Sequence, residues 1–244
     1  MPPVRSTTAK GPQLPARTAR VTVADTVHDR LRQQILSGAF APGSLLPPEH
    51  DLAKSEGVNR QAVREALQRL RQVGVIEIVH GGGARVLDWR VNGSLSLLSE
   101  AMFRSDGPLD ARVTESIFRL RLVTLVDAAR LAAEHRRDRA VERLRDLVEQ
   151  MRAPDANDAV LRGTFWYVVT AASRNVAYRL VYNTQVSIAL KLPAESVAAL
   201  LQGPEIIDAY EALTAAIDNS DQDAAAAAAH LILAPAVAVF EAIP

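Results

Sequence analysis

The stretch that decides the fold runs from Ser37 to Val86: SGAFAPGSLLPPEHDLAKSEGVNRQAVREALQRLRQVGVIEIVHGGGARV. Within it Leu52, Ala53, Val58, Ala62, Val63, Ala66, Leu67 and Leu70 recur at helical spacing on both sides of Gly57. That pattern predicts two helices joined by a tight turn. Gly57 is placed to end the first helix. Asn59 is placed to cap the second, because its side-chain oxygen accepts hydrogen bonds from the orphan N–H groups of a first turn beginning at Arg60. Val75 to Val79 then reads as a strand, His80-Gly81-Gly82-Gly83 tolerates positive φ, and Ala84 to Leu87 returns as a second strand. The layout is a winged helix-turn-helix.

On the second helix the apolar positions turn inward, which leaves Arg60, Gln61 and Arg64 outward near its N-terminus. Arg matches the paired acceptors of guanine and Gln the donor and acceptor of adenine, and the first turns of such a helix enter the major groove. A charged, solvated face is the competing reading. The hairpin decides between them, since a tip without bulky side chains can approach a phosphate backbone or minor groove closely. From about Val23 to Leu87 the chain resembles the DNA-binding domain of the GntR family of bacterial transcription regulators. The resemblance rests on DTVHDRLRQQILSG, on the elbow PGSLLPPE from Pro42 to Glu49, on the Leu52 to Leu67 core, and on the wing. It implies that Asn59, Arg60, Gln61 and Arg64 contact bases and phosphates and that His80 and Gly81 form the wing tip. His50 stands where the family usually has Arg, a weaker and pH-dependent cation at a DNA-contacting position.

The 244 residues and 48% hydrophobic content accommodate two domains. A formal net charge of zero conceals an asymmetry: residues 1–90 carry 13 Lys+Arg against 8 Asp+Glu, net +5, and residues 91–244 carry 15 against 20, net −5. The basic half is the one expected to meet phosphates. With no cysteine, disulfides, a CxxC zinc site and a thiol nucleophile are excluded. No apolar run is expected to approach membrane-spanning length and no signal peptide is read at the N-terminus, so a cytoplasmic protein without a membrane partner is expected. Residues 1–20 read as a flexible basic arm, 21–88 as the winged helix-turn-helix, 89–108 as a linker with a short helix, and 109–244 as an all-helical effector-binding and dimerisation domain. The fold class is mainly α, with a small two-stranded wing and a C-terminal antiparallel helical bundle.

In that bundle, helices are expected over Thr114–Glu134, Asp138–Met151, Asp158–Ser173, Val176–Leu190, Ala194–Leu201, Pro204–Asn219 and Asp221–Ala242, the last broken by Pro235. The region resembles the FCD effector domain of the FadR subgroup, through Arg121 with AARLAA at Ala128 to Ala133, Phe165 to Asn175, and AAIDNSD near Ala215 to Asp221. Most such domains hold a divalent metal with one Asp and three His, beginning D-x-x-F-H. Here that pattern reads Arg162-Gly163-Thr164-Phe165-Trp166, the third position falls near Tyr210, and the last is best matched by His230. One imidazole cannot hold a transition metal, so no metal and no cofactor are expected. His135, in EHRRDRA, reads as a surface residue, and His230 reads either as a bundle histidine or as a contact of the bundle's effector.

Arg162 would instead supply the positive charge directly and bind an anion, carboxylate or phosphate, with Arg121 as a second clamp and Trp166, Tyr210 and Asn175 as walls. The alternative places Arg162 in solvent by a shift of register. No nucleophile elbow, HExxH, P-loop or GxGxxG occurs, so an enzyme is not expected. The expected partners are double-stranded DNA carrying a palindromic operator, a small-molecule effector, and a second copy of the chain in a homodimer. A constitutive regulator whose C-terminal domain only dimerises is the alternative.

Overall fold

The computed structural model describes residues 22–79, 83–103, 109–153, 158–191 and 205–241. Helix α1 (Val23–Leu36) opens on a capping box in which Thr22 accepts from the Asp25 amide and the Asp25 carboxylate accepts from the Thr22 amide. The Thr22 amide and hydroxyl, both donating to that carboxylate, and the guanidinium of Arg69 hold the Asp25 carboxyl down at about 2, and the Arg69 pair ties α1 to the helix that carries Arg69. Helix α2 (Glu49–Glu56) ends at Gly57, whose φ of 66° is left-handed backbone that glycine adopts without a Cβ clash. Helix α3 (Arg60–Gln72) begins at Asn59, whose side-chain oxygen accepts from the Ala62 amide at 2.8 Å. Val63, Ala66, Leu67 and Leu70 of α3 pack with Val27, Leu31 and Ile35 of α1 and with Leu52 of α2 in one buried cluster.

Strands β1 (Ile76–Val79) and β2 (Gly83–Val86) pair antiparallel, from Ile76 opposite Val86 to Val79 opposite Gly83. The elbow runs along the other edge of β2. Gly43 N–H donates to the Val86 carbonyl at 2.8 Å, Val86 N–H to Ser44 at 2.9 Å, and Leu46 N–H to Ala84 at 2.8 Å. The wing is therefore anchored on both sides, a pairing that the elbow's proline content concealed in the sequence.

The linker is built into both cores. It consists of α4 (Trp89–Asn92), a single 3₁₀ turn at Leu95–Leu97, and α5 (Leu98–Met102). Leu97 is buried with the helix-turn-helix core, whereas Met102 packs with Ile117 and Ile188 of the bundle. Gly74 lets α4 lie this close: its φ is +78°, and a Cβ there would meet the Asn92 carbonyl oxygen at 2.3 Å.

The bundle comprises α6 (Ala111–His135), α7 (Asp138–Met151), α8 (Asp158–Ala172), α9 (Val176–Ala189), α10 (Glu205–Asp218) and α11 (Gln222–Glu241). Ala128, Ala129, Ala132 and Ala133 of α6 share the core with Ala225, Ala228 and Ala229 of α11, small residues that let two helices approach closely. The expected helix at Ala194–Leu201 lies outside the described residues. Two expectations are corrected. Pro235 sits inside α11 without breaking it. The carbonyl one turn back belongs to Leu231, which is 68% exposed, so water can serve the group that proline leaves unbonded. Also, the window Gln222–Val239 is long and apolar enough to cross a membrane, with a third of it buried in this structure. Its alanine face packs on α6, as the core helix of a bundle does.

Candidate functional site

The reading face is assembled from α2 and α3. Arg60, Gln61 and Arg64 are exposed on the first two turns of α3, and His50 is exposed on the first turn of α2. Arg64 is held by Glu49 in a two-point ion pair, Nη2 to Oε2 at 2.9 Å and Nε to Oε1 at 3.3 Å. That hydrogen bond and charge push the Arg64 pKa further up, so the guanidinium is a fixed cation that already has an anionic partner. Gln61 Nε2 donates to Glu65 Oε1 at 3.1 Å. The Asn59 oxygen is committed to its cap, which leaves its amide nitrogen for any contact with DNA. On the wing, Arg85 of β2 pairs with Glu77 of β1 at 3.1 Å. His80 and Gly81 lie outside the described residues. The elbow glutamate as the partner of Arg64 was not foreseen from sequence, although an acidic residue preceding His50 was in plain view.

In the bundle, α6, α8, α9 and α10 bring a second set of residues together. Arg162 is 4% exposed and its guanidinium lies 5.7 Å from the Tyr210 ring centroid. Trp166, one turn further along α8, donates from Nε1 to the Tyr210 hydroxyl at 3.1 Å, and Phe165 meets Tyr210 edge to face at 4.7 Å. Arg121 is half-buried on α6, with its guanidinium 5.9 Å from the Tyr182 ring of α9. The Tyr182 hydroxyl donates to the Gly163 carbonyl at 2.5 Å. Burial pushes the Tyr182 phenol up to about 12 against the opposing charge of Arg121. Burial also raises the Tyr210 phenol, offset in part by hydrogen bonds from Trp166 and Arg162 and by the charges of Arg121 and Arg162. Both guanidinium charges thus bear on the Tyr210 phenol, and that of Arg121 bears on Tyr182 as well.

One sequence expectation fails here and one is narrowed. His230 is exposed on α11 and lines no buried site. The Asn175 oxygen accepts from the amides of Ala177 at 3.0 Å and Tyr178 at 3.3 Å, so it caps α9 and leaves only the amide nitrogen to face a ligand. Periodicity alone could not separate a buried from an exposed face on an alanine-rich helix, and a cap Asn looks like any other Asn until the helix start is placed. Tyr182 and Gln185 were missed, although Tyr178, Tyr182 and Gln185 recur at i, i+4, i+7 along α9.

The residues at the positions where FCD-type domains hold a divalent cation do not suit one. Arg162 brings a positive charge, and Trp166 offers an N–H already bonded to Tyr210. His230 faces outward. Among the described residues no group of three His, Cys, Asp or Glu side chains is placed to hold a metal.

Comparison with known proteins agrees with both halves. Residues 23–86 match the model of bacterial regulatory proteins of the gntR family, and residues 116–234 match that of the FCD domain. The chain is 36% identical over 166 residues to the HTH-type transcriptional regulator Mce2R of Mycobacterium tuberculosis, covering 67% of this chain and 69% of that one. It is 30% identical over 123 residues to the HTH-type transcriptional regulator LutR of Bacillus subtilis, covering 50% of this chain and 54% of that one. Among solved structures, Lar, described as controlling expression of the Listeria monocytogenes agr system, superposes with a TM-score of 0.57 at 15% identity over 91% of this chain and 98% of its own, a likeness of fold. With an exposed recognition helix, a wing and a helical C-terminal domain in one chain, the protein belongs to the GntR family of bacterial transcription regulators, with an FCD domain, and is a DNA-binding regulator and not an enzyme.

Proposed function

We propose that the protein binds a roughly palindromic operator as a homodimer and that its bundle senses a small anionic metabolite, carboxylate or phosphate, which alters operator binding. Asn59, Arg60, Gln61 and Arg64 contact bases and phosphates at the major groove in this scheme, with His50 beside them and the His80–Gly81 tip following the minor groove. The observation that carries the sensing role is the placing of Arg121 over Tyr182 and of the buried Arg162 over Tyr210, two phenols close enough to act on one another. A guanidinium inside a bundle binds an anion more strongly than one at the surface, because the surrounding dielectric is lower and its planar donors pair at two points. A ligand acts on DNA affinity only through unequal affinity for the DNA-competent and incompetent arrangements.

One observation favours the alternative, a bundle that only dimerises. Phe165, Trp166 and Tyr210 pack edge to face on one another, with Arg162 over Tyr210, as a structural core does. A thermal-shift and operator-titration experiment on the full chain separates the two. A sensed anion at about 100 times its Kd raises stability by about 2.7 kcal/mol and weakens or strengthens operator binding. Arg162→Ala abolishes both effects, its own melt being compared first because a partner of the lost cation can be left buried. In the same titration Arg60→Ala or Arg64→Ala weakens specific binding by about 10- to 100-fold for each base that the side chain no longer reaches. If no anion shifts the melt, the bundle is a dimerisation domain only.

A further inference from the structure

One polar group in the bundle is not accounted for by the arginine pair. Gln185 on α9 is 6% exposed, and both its Nε2 and its Oε1 are enclosed and without a hydrogen-bond partner among the described residues. A buried amide that makes no hydrogen bond has exchanged its water contacts for nothing, whereas Met or Leu would fill the same volume without that cost. Its neighbours on α9 do not relieve it. Tyr182, one turn before, gives its hydroxyl to Gly163, and Ile188, one turn after, packs in an apolar cluster with Met102 and Ile117.

The contacts between α9 and α6 run antiparallel. Tyr178 hydroxyl donates to Asp127 at 2.9 Å, Tyr182 lies under Arg121, and Ile188 shares a cluster with Ile117. Gln185 therefore faces α6 at the level between Arg121 and Ile117. An amide that offers one acceptor and two donors, one turn along α9 from the Tyr182 ring on which Arg121 sits, is complementary to an anion whose neighbouring atom both donates and accepts.

We infer that Gln185 is a specificity-determining residue of the bundle site, selecting an organic anion that carries a hydroxyl or amide beside its charge over one with a plain hydrocarbon tail. The inference rests on the anion-sensing reading above and adds to it the part of the ligand that the arginines do not touch. A ligand hydroxyl supplies the bonds that the amide lacks, whereas the analogue without it leaves the amide as it was, so only the hydroxylated member gains from Gln185.

The test uses the full-length protein and matched probes, 2-hydroxy carboxylic acids of three to six carbons and their deoxy counterparts, with Kd measured by calorimetry. The expected result is that the hydroxylated member of at least one pair binds tenfold or more tightly than its counterpart. In Gln185→Met that ratio falls to near one while the deoxy acid binds as before. Should Gln185→Met fail to fold, the side-chain amide resonance of Gln185 in the wild-type protein takes its place, and it shifts with the hydroxylated probe only. Equal binding of both members to the wild type overturns the role of Gln185 and leaves the arginine site standing, the amide then being served by water. So does a Gln185→Met variant that folds and keeps the ratio. Binding by no member of either series overturns the sensing site and this inference together.

Discussion

Arg64 shows how much a single residue can hold in readiness. Its ion pair with Glu49 fixes a long side chain on the outer face of α3, and it must exchange that carboxylate for a base or phosphate when DNA arrives. A surface pair of this kind contributes little to folding, so its main effect is on binding. Glu49→Gln removes both the competing partner and a negative charge from the DNA face. The expected outcome is tighter operator binding, most marked at low ionic strength and fading as salt rises, because the repulsion removed is screened. An operator titration at two salt concentrations checks it, and unchanged affinity at low salt would mean that Arg64 does not approach the DNA. The position of Arg64 was legible from the outward spacing on α3, but its partner depends on how α2 crosses α3.

At the level of elements, α11 is the instructive case. Its sequence combines six consecutive alanines with Pro235, and a proline inside a helix normally ends it. The helix nevertheless continues to Glu241 because Ile232, Leu233 and Val237 are buried against the bundle and the Leu231 side is open to water. Tertiary burial outweighs the local penalty. Pro235→Ala restores the missing donor and removes the ring clash, so it is expected to stabilise the bundle by about 1–3 kcal/mol, read as a higher thermal midpoint. A lower midpoint would show that the proline ring is itself part of the packing. The wing makes the opposite point. Its strands were legible from Val75 to Leu87, yet the elbow's pairing with β2 came only with the backbone hydrogen bonds.

Across the whole molecule, Glu100 on α5 joins the two halves. Its carboxylate lies 3.2 Å from Lys191 just beyond α9 and 3.8 Å from Arg32 on α1, and it accepts from the Ser99 hydroxyl at 2.6 Å. Burial pushes the Glu100 carboxyl up, but Ser99, Arg32 and Lys191 more than offset it and hold it below its ordinary value. The sign follows from linkage: the unfolded chain takes up the proton first, so this stabilisation is complete above pH 4.5, the ordinary Glu value, and is lost as pH falls through the lowered one. Glu100→Gln is expected to cost about 1 kcal/mol near neutral pH, a modest figure because Lys191 is half-exposed. The difference from wild type should close as the melt is repeated in acid. A gap that persists at low pH would assign the effect to shape instead of charge.

By itself the sequence determined the elements, because capping, glycine turns and apolar periodicity are local. Asn59 and Gly57 mark the ends of helices with or without a neighbour, and the DNA-reading face follows from the spacing on α3. The tertiary structure alone decided which of the chemically suggestive residues meet. It placed Arg162 inside and His230 outside, gave the Asn175 oxygen to a cap, and brought Gln185 into the interior without a partner among the described residues. Burial and partnership depend on the rotation of each helix against the others. That rotation is set by packing summed over the whole core, and no single segment encodes it.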